Sequence, residues 1–78
     1  MINEHDCVVL TDDIADAGLE SRDIGTVVHV HKGGAAYEVE FMTLAGESVA
    51  VVTLRPVQLR SNAPRDIAHV RELVATGS

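Results

Sequence analysis

His29 and His31 stand two residues apart in an otherwise apolar run. On a strand that spacing sends both imidazoles to one face. Two ring nitrogens so placed could ligate Zn²⁺, Cu²⁺ or Ni²⁺ if a third ligand arrived from elsewhere, and His5, His69 and the acids of residues 11–23 are the candidates. Neither a Cys-x-x-Cys nor a His-x-x-x-His accompanies the pair. Two surface histidines beside a hairpin end is therefore the preferred reading, and no cofactor is assigned.

The other chemistry-bearing residues yield less. Asp12, Asp13 and Asp16 lack the register of a calcium loop, which needs alternate ligands, a central Gly and a closing Glu. Glu38 and Glu40 alternate with apolar residues, the pattern of a solvated strand face and not of a sheltered acid–base pair. Ser21, Ser48 and Cys7 have no His-plus-acid constellation beside them. Cys7 adjoins Val8 and Val9 and reads as a small strand hydrophobe. The expectation is a protein that is not an enzyme.

The elements that must position these residues are strands. Cys7–Leu10, Ile24–Val30, Tyr37–Met42 and Val49–Leu54 are β-branched or alternating runs, and a short fifth, Val57-Gln-Leu59, follows Pro56. Tyr37, Val39 and Phe41 alternate with Glu38 and Glu40, so one face is apolar and the other charged. In the second run Val28 and Val30 share one face while Val27, His29 and His31 share the other. The fourth run is apolar on both faces and reads as a central strand. Gly33-Gly34 suits a tight hairpin, Leu44-Ala-Gly46-Glu47 a second one, and Gly25 marks a bend or a close backbone approach. Residues 11–23 form a long connection with five acids and one base, which Ile14 and Leu19 could anchor. After Pro64, residues Ile67, Val70, Leu73 and Val74 recur at helical spacing. The expected fold is all-β: residues 1–60 form a small five-stranded SH3-like barrel, and residues 61–78 a short C-terminal α-helix docked on the barrel or on a partner.

Composition narrows the function. With 78 residues the chain holds one domain and a compact core. Its net charge of −6 divides unevenly. Residues 1–40 carry nine acids and two bases, a balance of −7, whereas residues 41–78 carry three acids and four bases, a balance of +1. Phosphate backbones are bound by neutralising cations, so nucleic acid and anionic membranes are disfavoured partners. Arg55, Arg60, Arg65 and Arg71 do cluster in the C-terminal third, but only one Tyr and one Phe are available as stacking platforms. A single cysteine, no basic-then-apolar leader and no apolar run of about 20 residues predict a soluble cytoplasmic protein.

A closer resemblance rests on the order of several motifs. Asp6-Cys-Val-Val-Leu10 is followed by Gly18-Leu and Asp23-Ile-Gly-Thr-Val-Val-His-Val30, then by Tyr37-Glu-Val-Glu-Phe41 and Gly46 before Val51-Val-Thr-Leu54. Gln58-Leu-Arg60 and Asp66-Ile-Ala-His-Val-Arg-Glu-Leu73 complete the series. Together they resemble the bacterial domain of unknown function 4926. The resemblance implies an SH3-like barrel, a stand-alone cytoplasmic protein and a small partner encoded nearby, hence an antitoxin-like or accessory role; it implies no catalytic residue. The leading expectation is a non-catalytic protein-binding module that meets a basic partner through Asp12, Asp13, Asp16, Glu20 and Asp23. The alternative is a small metal- or nucleic-acid-binding regulator using His29, His31 and the C-terminal arginines. Self-association through a strand edge or the tail helix is compatible with both.

Overall fold

The computed structural model describes residues 2–73. Five antiparallel strands form one sheet: β1 (Cys7–Leu10), β2 (Ile24–His31), β3 (Ala36–Met42), β4 (Ser48–Leu54) and β5 (Leu59–Ser61), in the order β4-β3-β2-β1-β5. Single 3₁₀ turns occupy Ala15–Ala17 and Pro56–Gln58. None of the helical segments among the described residues is long and apolar enough to cross a membrane.

The alternation expected in β3 is what the sheet is built on. Tyr37, Val39 and Phe41 are buried, while Glu38 and Glu40 face the other way. Val8 and Leu10 of β1, Val27 of β2, Leu54 of β4 and Leu59 of β5 join them in one cluster. Leu54 and Leu59 belong to opposite edge strands, so the sheet must curl for them to share a core. The ladder itself stays open, because β4 and β5 are its two ends and do not pair. The complete hydrogen-bonded closure of a barrel is absent from these strands.

Curling needs a place where strands can approach closely, and Gly25 provides it. A Cβ built there would lie 2.6 Å from Val39 Cγ1, 2.8 Å from Phe41 Cε2 and 3.0 Å from the Glu40 carbonyl oxygen. At the opposite end of β2, Lys32, Gly33 and Gly34 all adopt positive φ (45°, 68° and 110°) and reverse the chain. The His31 carbonyl accepts there from the N–H groups of Gly34 at 2.9 Å and Ala35 at 3.0 Å.

Four expectations are corrected. In β2 the register with β3 shifts between Val27 and His29, so Val28 is the extra residue of a bulge. Val27 lies opposite Val39 and Val30 opposite Tyr37, both toward the core, and Val28 is exposed. The bulge inverts the period, which is why simple alternation paired Val28 with Val30. Second, β4 is an edge strand and not a central one; its non-core side is open, with Val51 53% exposed. Third, Val57 lies in the 3₁₀ turn and is exposed, and β5 begins at Leu59.

The fourth correction concerns the tail. No helix forms between Asn62 and Leu73, and Ile67 and Val70 are exposed; Val74 and Gly77-Ser78 lie outside the described residues. Instead Asp66 accepts from the Ala63 N–H at 2.6 Å and from Arg60 Nη1 at 2.8 Å, and its own N–H donates to the Ala63 carbonyl at 3.0 Å. Those bonds close a turn around Pro64-Arg65. The chain then passes beside the outer face of β1, sharing a cleft with Cys7 and Val9. Val9 points away from the core yet is only 6% exposed. A helix of two or three turns forfeits its costly nucleus unless its stripe docks, and here the polar anchors of the segment outweigh the stripe.

Gly25→Ala is expected to destabilise the fold by about 1–3 kcal/mol, because the added methyl meets a backbone oxygen and two buried core side chains, Val39 and Phe41. Denaturant unfolding of the variant against the parent protein measures it, and an unchanged midpoint would contradict the close approach.

Candidate functional site

The acidic connection between β1 and β2 is ordered by its own backbone and by two carboxylates. Ile14 and Leu19 bridge each other, with N–H···O distances of 2.9 and 3.0 Å, around the 3₁₀ turn. Leu19 is buried in the core and Ile14 packs against it, as expected of the loop's anchors. Asp13 Oδ1 accepts from the Ser21 N–H at 2.7 Å, and Asp23 Oδ2 accepts from the Glu20 N–H at 2.9 Å. Asp12 and Asp16 are exposed and form no ion pair among the described residues.

The loop already holds a cation. Arg71, from the tail, donates through Nε to Asp23 Oδ1 at 2.9 Å and through Nη2 to Asp23 Oδ2, a two-pronged geometry suited to a guanidinium on a carboxylate. Nη2 also reaches the Gly18 carbonyl at 3.1 Å, and Nη1 lies 3.7 Å from Glu20 Oε2. With the Asp23 side chain 18% exposed and that of Arg71 32% exposed, this pair is better sheltered than an ordinary surface salt bridge. Burial pushes the Asp23 carboxyl upward. The hydrogen bonds from Arg71 and from the Glu20 N–H, with the guanidinium charge, outweigh burial and hold it below its usual range. The same contacts raise Arg71.

Of the five acids expected to act together, the structure thus divides the labour. Asp23 and Glu20 grip the tail, Asp13 ties the loop to itself, and Asp12 and Asp16 stay open to solvent. Sequence reasoning assigned Arg71 to a basic cluster and missed its place on the loop. The only signal was the coincidence of an acidic loop and a basic tail. Arg60 is likewise engaged, paired with Asp66 at 2.8 Å. Two of the four C-terminal arginines are therefore neutralised by carboxylates and do not form a free basic surface.

His29 and His31 do share a face. Their rings lie 4.6 Å apart, edge to face. Each meets a carboxylate: His29 Nδ1 lies 3.6 Å from Glu4 Oε2, and His31 Nε2 lies 3.4 Å from Glu38 Oε1. Thr53 of β4 donates its hydroxyl to the same Glu38 oxygen. That hydroxyl is the main reason the Glu38 carboxyl lies below its ordinary value, with His31 and His29 adding to it. Neither His5 nor His69 completes a triad: among the described residues no three or more His, Cys, Asp or Glu side chains are arranged to hold a metal ion. Cys7 is exposed on the outer face of β1.

What the fold and site define is a small curled β-sheet with an acidic loop strapped by its own tail. The chain belongs to the family described as domain of unknown function (DUF4926), whose model matches residues 4–61. The match runs from before β1 to the last residue of β5 and stops where the strap begins. No curated protein and no solved structure matches the chain.

The sign of the acid response follows from Asp23 and Asp66, both of which are lowered in the folded chain. Their contribution is complete above the ordinary aspartate value of 3.8 and is lost as pH falls through the depressed folded values. The melting temperature is expected to drop more steeply below pH 3.8 in the parent protein than in Asp23→Asn, which lacks one of the two carboxylates. Parallel acid limbs in a thermal-unfolding series would show that the strap adds nothing to stability.

Proposed function

We propose that the chain is a non-catalytic protein-binding module on an SH3-like scaffold, serving as an antitoxin-like or accessory subunit that meets a basic partner through its acidic loop. The scaffold reading draws on the long connection after β1, the 3₁₀ turn before the last strand, the return of β5 to β1 and the single curled core. The observation that carries the binding reading is the guanidinium of Arg71 on Asp23, with Glu20 beside it. The loop offers a cation a carboxylate fork and a carbonyl oxygen together. Around that seat, Asp12 and Asp16 are exposed carboxylates with no ion pair among the described residues. Such a surface steers an oppositely charged protein and suppresses nucleic acid as a competitor.

A partner of this kind would be a small basic protein, and a nuclease whose substrate groove is cationic fits the chemistry. The contact is expected to weaken with salt, because exposed charges are screened beyond about 10 Å at 0.1 M ionic strength.

The test reverses only the carboxylates that do no structural work. Asp12→Lys with Asp16→Lys should abolish capture of the native partner in a pull-down from the source cells and leave the melting temperature unchanged. Capture that persists at the parent level would remove the acidic loop from the interaction.

A further inference from the structure

The long loop frames its cation seat with its own hydrogen bonds. Asp23 Oδ2 is aimed by the Glu20 N–H at 2.9 Å, and the Asp23 N–H donates to the Glu20 carbonyl at 3.0 Å. Leu10 brackets the same stretch: its N–H donates to the Asp23 carbonyl at 2.9 Å, and its carbonyl accepts from the Arg22 N–H at 2.8 Å. Leu19, buried in the core and bridged to Ile14, fixes the backbone between Gly18 and Glu20. Each of these bonds lies within residues 10–23. The frame that turns Asp23, Glu20 and the Gly18 carbonyl toward one point therefore owes nothing to the tail.

The segment that fills the seat is less well held. Arg71 lies outside residues 4–61, the part of the chain that the family model matches, whereas all three seat residues lie inside it. From Ile67 to Leu73 no backbone–backbone hydrogen bond forms among the described residues. Ile67 and Val70 are 85% and 82% exposed, so the apolar stripe of the tail adds little burial. Glu72, next to the guanidinium, lines the same groove as Asp13, Asp16 and Glu20. The tail thus brings a like charge to an acidic wall together with its arginine.

We propose that Arg71 is an internal substitute for an arginine of a partner: the tail keeps the seat closed, and a cationic partner segment opens it by displacing the guanidinium. The inference rests on the acidic-loop reading above and adds that the central carboxylate of that loop is occupied until a partner competes for it. The geometry specifies a guanidinium and not a cation of any kind. Nε and Nη2 of Arg71 engage the two Asp23 oxygens side by side, and Nη2 also reaches the Gly18 carbonyl, a set of contacts that a single ammonium nitrogen does not reproduce. Tethering favours Arg71 through its high effective concentration. A partner overcomes that advantage with several arginines that have no acid beside them.

The test follows the backbone amide NMR signals of the isotope-labelled full chain during titration with a hexa-arginine peptide at low salt. Apparent affinity is reduced by the fraction of molecules whose seat is closed, so Arg71→Ala should bind the peptide about tenfold more tightly than the parent, with shifts centred on residues 18–23. Arg65→Ala removes the same charge from an exposed arginine that has no ion pair among the described residues, and it should bind like the parent. Arg71→Lys, which keeps the charge and loses the fork, should also bind more tightly than the parent. Adding Asp23→Asn to Arg71→Ala should cancel the gain. The dispersed strand signals in each spectrum report that the variant is folded. Equal affinities for the parent and Arg71→Ala, an equal gain in Arg65→Ala, or shifts that avoid residues 18–23 would each overturn the proposal. The partner pull-down with Asp12→Lys and Asp16→Lys leaves Arg71 and Asp23 in place, so failure of the acidic-loop reading and failure of the internal substitute are told apart.

Discussion

A sheet with one apolar face and no helix to lay over it has to bury that face against itself. Everything else in this chain follows from that constraint. The described residues hold no long helix, and the cluster built on Tyr37, Val39 and Phe41 takes its cover from the remaining strands and from Leu19 of the long loop. Val28 supplies the bulge that turns β2 toward the core twice, at Val27 and at Val30. Gly25 lets that strand close on β3 without a side chain between them. A domain of this size buries only about 60% of its unfolded surface, so each of these positions carries a large share of the packing.

Because the inner face is consumed in this way, function has to reside on the loops, the outer face and the edges. The polar groups there are held in place chiefly by one another. Asp13 and Asp23 each fix a backbone N–H of the long loop, and Asp66 fixes the turn that launches the tail. The tail then brings Arg71 to the loop, across forty-eight residues of sequence. The acidic half and the nearly neutral half of the chain are thus not two separate surfaces. One arginine of the second half sits inside the charge of the first. Within the long loop, the carboxylates left without a hydrogen bond or ion pair among the described residues are Asp12 and Asp16.

The histidine pair makes the same point about outer-face chemistry. Its i, i+2 spacing was enough to place both rings together, and they touch. Cross-strand register decided what they touch next. β3 sets Glu38 opposite His29, and β4 sets Thr53 opposite Glu38, so the carboxylate is shared with a hydroxyl and the imidazoles meet carboxylates one by one. Spacing along a strand fixes which face a group shares; only the neighbouring strands fix its partners.

The sequence by itself determined the first four strands, their hairpin turns, the alternation of β3 and the anchors Ile14 and Leu19, and it marked Gly25 as a bend or a close approach. Those features depend on local periodicity and on backbone freedom at single residues, both of which are written in neighbouring positions. Tertiary structure alone decided that β4 lies at an edge, since a strand apolar on both faces looks the same whether covered or open. It decided the bulge at Val28, because an extra residue is defined only against a partner strand. It also replaced the expected tail helix with a strap. The helical spacing of Ile67, Val70 and Leu73 is a local signal, whereas the carboxylate of Asp23 is an anchor that lies forty-eight residues away from Arg71 in sequence and meets it only in the folded chain. A short segment follows its local preference only when no stronger long-range contact competes for it.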